Sequence, residues 1–358
     1  MRIRGDHSDR NPCRTAASPR TPNEGDNMLT IHRSIEVASP ADPAETATIA
    51  ATAWLPANMP PRPTIVFAFP GGGYSRGYYD LHPVGLDGYS QAAHHTDHGV
   101  IVIGVDHLGV GDSSVAANAT MTIEDIAAAN DAAVKQILSL LRSGRLAPDL
   151  PAVNPGSVVG IGQSMGGGVC IIMQGRSRTF DAVAVLGYSA IHTVLPMRQS
   201  EDGDTVKNKV FGSLSRTTAP SALSVSDTSA QVPDYVYPFH WENVPADVLA
   251  ADLAGGYPMR TDPPPWGSAT IPNCVVAMMG PGYVTDEASV IEVPVFLGFG
   301  ERDTSENPLD EPAAFPRSPD ITVYTVARTA HMHNFGVGRQ ALWDRLLGWY
   351  TGLPWTAR

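Results

Sequence analysis

The sequence predicts an α/β fold: a mainly parallel sheet with helices on both faces, and a separate lobe inserted late in the chain. Three observations carry this. Short, nearly continuous apolar runs such as Ile65–Phe69, Val100–Val105, Ala182–Leu186 and Val293–Phe299 have the pattern of strands covered on both sides. Those runs alternate with helical patterns, the rhythm of parallel strands joined by crossover helices. The rhythm then fails from about His192 to Ile291. A structureless stretch of about 100 residues is improbable inside a compact domain, so it reads as an inserted lobe.

The chain of 358 residues, 43% of them hydrophobic, is long enough for one large core with such a lobe. Its organisation is expected to be a disordered tail over 1–27, core over 28–191, cap lobe over 192–290, and core again over 291–358. The tail is rich in Pro, Ser, Thr, Asn, Asp and Arg. A surplus of 36 acidic over 24 basic side chains, net −12, argues against a nucleic-acid partner. Cys13, Cys170 and Cys274 form neither a disulfide framework nor, with the histidines, a zinc-site spacing. No apolar run reaches about 18 residues, and no apolar segment follows the basic start before Met28. A cytoplasmic protein without metal, cofactor or membrane span is the expectation.

In chain order, Thr30–Val37 and Glu45–Leu55 read as an antiparallel edge pair around a turn containing Pro40 and Pro43. Pro63–Phe69 is a buried strand that stops at Pro70-Gly71-Gly72-Gly73-Tyr74. An irregular stretch with Tyr78, Tyr79 and Tyr89 follows. Val100–Val105 is the next strand and runs into Asp106-His107-Leu108-Gly109-Val110-Gly111-Asp112-Ser113. Thr122 can cap a helix, with Asp125 at its third position and Ile126, Ala129, Ala133, Ile137 and Leu141 along one face. Val158–Gln163 and Ala182–Gly187 are strands. In the lobe, Asn243–Gly255 suits a helix and Asn273–Gly280 an apolar helix or a strand. Its aromatics, Tyr235, Tyr237, Phe239, Trp241, Tyr257 and Trp266, either wall an apolar pocket or form the lobe's own small core. Val293–Phe299, Ile321–Val326 and a closing helix near Val337–Tyr350 complete the core, for eight strands in all.

The most informative stretch is Gly162-Gln163-Ser164-Met165-Gly166. Ser164 falls where a strand period changes to a helical one, at a sharp turn. A serine at a strained bend brings the residues two before and two after it together, and a Cβ at either would clash. The helix start also leaves unpaired N–H groups beside the hydroxyl, that of Met165 among them, where negative charge is stabilised. Ligand sites in open α/β sheets lie beyond the C-terminal strand ends. Asp303, in Gly300-Glu301-Arg302-Asp303, stands past one such end and His331, in Ala330-His331-Met332-His333, past the next. His331 would take the Ser164 proton while Asp303 fixes the imidazole tautomer. His333, two residues on, is an alternative base, a pocket residue or a side chain paired locally. Asp106 and Asp112 read as turn formers, and His107 and His240 as unassigned pocket candidates.

Four features together resemble the serine esterases and lipases of the α/β-hydrolase superfamily. They are Pro70-Gly71-Gly72-Gly73, Asp106-x-x-Gly109-x-Gly111-x-Ser113, Gly162-x-Ser164-x-Gly166, and Asp303 followed by His331, over about residues 45–190 and 291–352. The order Ser, Asp, His is the superfamily's. The resemblance implies an eight-stranded α/β-hydrolase sheet with a cap, a catalytic triad of Ser164, Asp303 and His331, and an oxyanion hole from the N–H groups of Met165 and Gly72. Pro70 stands where the family often has histidine, which leaves the choice between Gly72 and Gly73 open. Gly73, Tyr74, His333 and Trp241 are candidates for the substrate pocket.

The expected reaction is carboxylic ester hydrolysis through an acyl-enzyme, on a small to medium apolar or aromatic ester. Serine at the nucleophile position argues against dehalogenase and epoxide-hydrolase chemistry, which the fold associates with aspartate there. An acyltransferase or thioesterase with the same triad, a peptidase or lactonase, and a non-catalytic binding homologue are the alternatives.

Overall fold

The computed structural model describes residues 28–40, 45–115, 120–198, 214–218, 225–226 and 234–354. The expected disordered tail, with Cys13, and part of the cap lobe lie outside the described residues. Eight strands form one sheet: β1 Met28–Ala38, β2 Thr46–Pro56, β3 Thr64–Phe69, β4 Ile101–Val105, β5 Ser157–Gln163, β6 Ala182–Leu186, β7 Val295–Arg302 and β8 Ile321–Ala330, in the order β1-β2-β4-β3-β5-β6-β7-β8. β2 runs antiparallel to both its neighbours, and every later pairing is parallel.

The helices follow from the same pattern. Among them are α1 Gln91–Thr96, α2 Ile123–Arg142, α3 Met165–Ser177, α4 Val236–Phe239, α5 Ala246–Leu253, α6 Thr285–Ser289 and α7 Arg339–Gly352. Thr122 caps α2 in a reciprocal box: its hydroxyl accepts from the Asp125 N–H, and the Asp125 carboxylate accepts from the Thr122 N–H. Alternate residues of β3 feed opposite faces of the sheet. Ile65, Phe67 and Phe69 join the core that holds the buried faces of α2 and α3. Val66 and Ala68 join the core that contains Ala92 of α1 and Leu342, Leu346 and Trp349 of α7. Coverage on both sides explains why the central strands are apolar at every position.

The structure departs from the sequence reading at three places. α1 lies in the stretch read as irregular; Ser90 caps it by accepting from the Ala93 N–H. Asn273–Met279 takes the helical of the two readings, but as a 3₁₀ helix and not an α-helix. β8 continues past Val326 to Ala330, because β7 also continues, through an irregular register between Gly300 and Arg302. His331 therefore follows the last strand residue directly.

Candidate active site

Ser164 sits between β5 and α3 with φ 53° and ψ −119°. That is a strained conformation for a residue with a Cβ, at a cost on the order of 1–3 kcal/mol. It is held by hydrogen bonds from the Ser164 N–H to the Leu186 carbonyl (2.7 Å) and from the Gly167 N–H to the Ser164 carbonyl (2.8 Å). The glycines on either side are required sterically: a Cβ on Gly162 would lie 2.1 Å from the Gly166 carbonyl oxygen, and one on Gly166 would lie 2.1 Å from that of Phe69. The hydroxyl side of this bend faces an apolar cavity shared with Met165, Gly72, Gly73, Tyr74 and His331.

Asp303 is buried just beyond β7. Its Oδ1 accepts from the Thr304 N–H (2.8 Å) and its Oδ2 from the Gly300 N–H (2.8 Å). The same two oxygens meet two imidazoles: His331 Nδ1 at 2.6 Å from Oδ1 and His333 Nε2 at 2.7 Å from Oδ2. Burial alone would raise the Asp303 carboxyl. The adjacent His331 and His333 rings and their hydrogen bonds outweigh burial and hold it well below the usual carboxylate range. Because the carboxylate only accepts, His331 carries a proton on Nδ1, which leaves Nε2 as the acceptor for the Gln163 amide nitrogen 3.4 Å away. His333 is tied through Nε2 instead, and its buried Nδ1 has no partner among the described residues. Gly187, at the end of β6 with φ 61°, leaves room for this pair; a Cβ there would lie 2.9 Å from His331 Nδ1.

The loop after β3 is fixed from beneath by a histidine that the sequence left unassigned. His107 Nε2 donates to the Pro70 carbonyl (2.9 Å), and its Nδ1 accepts from the Asn130 side-chain amide (2.7 Å). Burial pushes its pKa down to about 4, so it is neutral at pH 7, as these two roles require. Asp106 accepts from the N–H groups of Arg76 and Asp112 and pairs with the Arg76 guanidinium. Gly111 closes over it, with no room for a Cβ. Asp106 thus shapes the turn, and Asp112 adds an exposed pair with Arg76.

Of the proposed pocket residues, Gly73 and Tyr74 line the cavity, while His333 and Trp241 do not. His333 lies behind Asp303. Trp241 stacks on the Arg302 guanidinium, 4.6 Å from its ring centre, because Arg302 emerges from β7 toward Tyr237 and Glu242. His240 is buried in the cap against Phe335. The cap reaches the site through Phe239, edge-on to the His331 ring at 5.2 Å, and the His331 N–H donates to the Pro238 carbonyl (3.2 Å). Further walls include Leu195, Val225, Ile271, Val275 and Met279 from the cap segment, with Arg260 and Tyr257. Among the described residues, no group of His, Cys, Asp or Glu is arranged to hold a metal ion, and no helix is long and apolar enough to cross a membrane.

Arg260 and Gly187 went unnoticed in the sequence. The only available signal for Gly187 was a glycine at a strand's end; for Arg260 there was none.

No protein-family model matches the chain, and no curated protein matches its sequence. Solved structures do match in fold. A thermophilic esterase from Thermogutta terrifontis aligns at TM-score 0.58 and 15% identity over 89% of this chain and 98% of its own. A haloalkane dehalogenase from Bradyrhizobium elkanii aligns at TM-score 0.56 and 14% identity over 91% and 97%. A proline iminopeptidase from Mycobacterium smegmatis aligns at TM-score 0.54 and 15% identity over 89% and 98%. The chain therefore has the α/β-hydrolase fold with a cap-like insertion. Matches to proteins with such different names show architecture, not reaction.

Proposed function

We propose that the protein is a serine hydrolase that cleaves small carboxylic esters, with Ser164 as nucleophile, His331 as general base and Asp303 as the group that orients it. One observation carries this reading: a serine held at a strained bend opens into the same apolar cavity as an imidazole whose other nitrogen is bonded to a buried carboxylate. His331 rather than His333 is the base, because the Nε2 of His333 is already committed to Asp303 and the residue is off the cavity.

In this mechanism Ser164 Oγ attacks the ester carbonyl as His331 Nε2 takes its proton. The carbonyl oxygen becomes an oxyanion held by the Met165 N–H and by that of Gly72 or Gly73. Each such donor is worth about 3–4 kcal/mol in the transition state. The His331 proton then passes to the departing alcohol, and water enters by the reverse sequence to release the acid. In the resting geometry the Gln163 amide nitrogen lies 3.4 Å from His331 Nε2. This long contact would give way to the serine hydroxyl once substrate is seated, as catalytic hydrogen bonds commonly tighten only then.

A cavity of about 140 Å³ with apolar walls favours a short aliphatic or single-ring group; an apolar cavity of about 150 Å³ accommodates benzene. Mass spectrometry after treatment with an organophosphonate tests the nucleophile, and a panel of p-nitrophenyl esters tests the reaction. Active, folded protein with no adduct on Ser164 would refute the assignment.

A further inference from the structure

The loop proposed to supply the second oxyanion donor is Gly71-Gly72-Gly73-Tyr74, as poorly preorganised a sequence as a loop can have. It is closed as a tight turn by the Tyr74 N–H on the Gly71 carbonyl (3.2 Å), with Gly73 at φ 82°. Three successive glycines do not hold one conformation unaided, so something outside the turn must hold it.

The cap does so. The Gly73 carbonyl accepts from the Ser268 N–H (3.0 Å) and from Arg260 Nη1 (2.7 Å), and the Ser75 N–H donates to the Trp266 carbonyl (2.8 Å). Arg260 is 2% exposed. Its Nη2 is fixed on the Asp252 side chain (3.0 Å) and the Asp252 carbonyl (2.9 Å), and its guanidinium lies between the rings of Tyr74 and Tyr257 at 4.7 and 4.8 Å. Asp252 is oriented in turn by the Tyr74 hydroxyl (2.7 Å) and Trp266 Nε1 (2.9 Å). Burial pushes the Tyr74 phenol well above its ordinary range, so it remains a donor. Arg260 Nε has no partner among the described residues, but both terminal nitrogens are bonded and two rings flank the guanidinium, which leaves it little freedom to move. The Gly73 carbonyl belongs to the peptide plane whose N–H closes the turn. Only φ and ψ of Gly73 separate that plane from the one before it, which carries the Gly73 N–H, and the Tyr74–Gly71 bond across the turn restricts them.

We infer that Arg260 is a positioning residue for transition-state stabilisation: from the cap it clamps the Gly73 carbonyl and so aims the loop's N–H groups at the oxyanion. This rests on the serine-hydrolase reading above. It makes this part of the cap a fixed component of the active site rather than a cover over it. The Arg260–Gly73 bond acts on the oxyanion, which exists only in the transition state, so its loss falls on kcat and leaves KM nearly unchanged.

The test is R260M beside I137A, with p-nitrophenyl esters as substrate and thermal melting as the check on folding. I137A truncates a buried side chain of α2 that neither lines the cavity nor joins this network. R260M is expected to lower kcat about 10- to 100-fold with KM within about threefold, and to slow phosphonylation of Ser164 in parallel. I137A is expected to lose melting temperature but to keep kcat within about threefold. Guanidinium added to R260A, which leaves a hole of matching shape, should restore part of kcat. If R260M does not fold, R260K serves: one ammonium cannot hold Asp252 and Gly73 together, and kcat should still fall at constant KM. The inference is overturned if R260M, or R260K in its place, keeps wild-type kcat, if the loss appears only in KM, or if I137A loses kcat as severely as R260M. Absence of both turnover and Ser164 labelling in the wild type would instead remove the underlying reading. Labelling of Ser164 with kcat intact in R260M would remove this inference alone.

Discussion

The two halves of the site are built by different means. On the sheet side, Ser164, Asp303 and His331 occupy the ends of β5, β7 and β8; the Ser164 N–H donates to the Leu186 carbonyl, and the Asp303 carboxylate accepts from the Gly300 and Thr304 N–H groups. On the cap side, the loop Gly71–Tyr74 is held by the buried side chains Asp252, Arg260 and Trp266, which come from irregular segments and α5. Strand ends place groups through a regular repeat, whereas the cap places them through one satisfied polar network. The sheet side should therefore fail through chemistry when a side chain is changed, and the cap side through geometry and specificity.

The sharpest way to break this contrast is at the nucleophile. S164A should lower kcat on the order of 10⁵- to 10⁶-fold with melting temperature unchanged or raised, since alanine at the bend leaves no hydroxyl to attack. Residual turnover within about a hundredfold of wild type would sink the serine mechanism. H331A should abolish turnover to a similar extent, and D303N should cost about 10⁴-fold by releasing the tautomer. H333A should reduce the rate far less; steady-state rates in the reverse order would exchange the two histidines' roles. On the cap side, I271W should reduce kcat/KM for p-nitrophenyl benzoate about tenfold while sparing p-nitrophenyl acetate, because Ile271 lines the cavity. Equal losses on both would show that the cap does not select by size.

The smallest expected effect concerns pH and stability. His107 has a folded value of about 4 against about 6.5 when unfolded. As pH falls from 6.5 toward 4 the unfolded chain takes up a proton that the folded one does not, so stability declines through that window. H107Q keeps a donor for the Pro70 carbonyl but cannot take up that proton, and its melting temperature should fall less steeply over this range. Asp303 is displaced in the same direction, in a lower window: its depressed carboxyl contributes stability above about pH 4, and this is lost as pH falls from there toward the folded value. An equal slope for wild type and H107Q would place the acid sensitivity elsewhere, for instance at buried His95, whose pKa burial lowers to about 3.

What the sequence by itself determined follows from local rules. The strand periods, the Thr122–Asp125 cap and the Gly-x-Ser-x-Gly sterics depend on neighbours within a few residues, so they were legible, and with them the sheet and the positions of Ser164, Asp303 and His331 at its edge. The tertiary structure alone decided that His333 backs onto Asp303, that Trp241 turns away to Arg302, that His107 supports Pro70 and that Arg260 reaches Gly73. Each of those depends on a buried polar group finding a partner far along the chain. The requirement that it be satisfied is general, but which partner satisfies it is set only when the chain has packed.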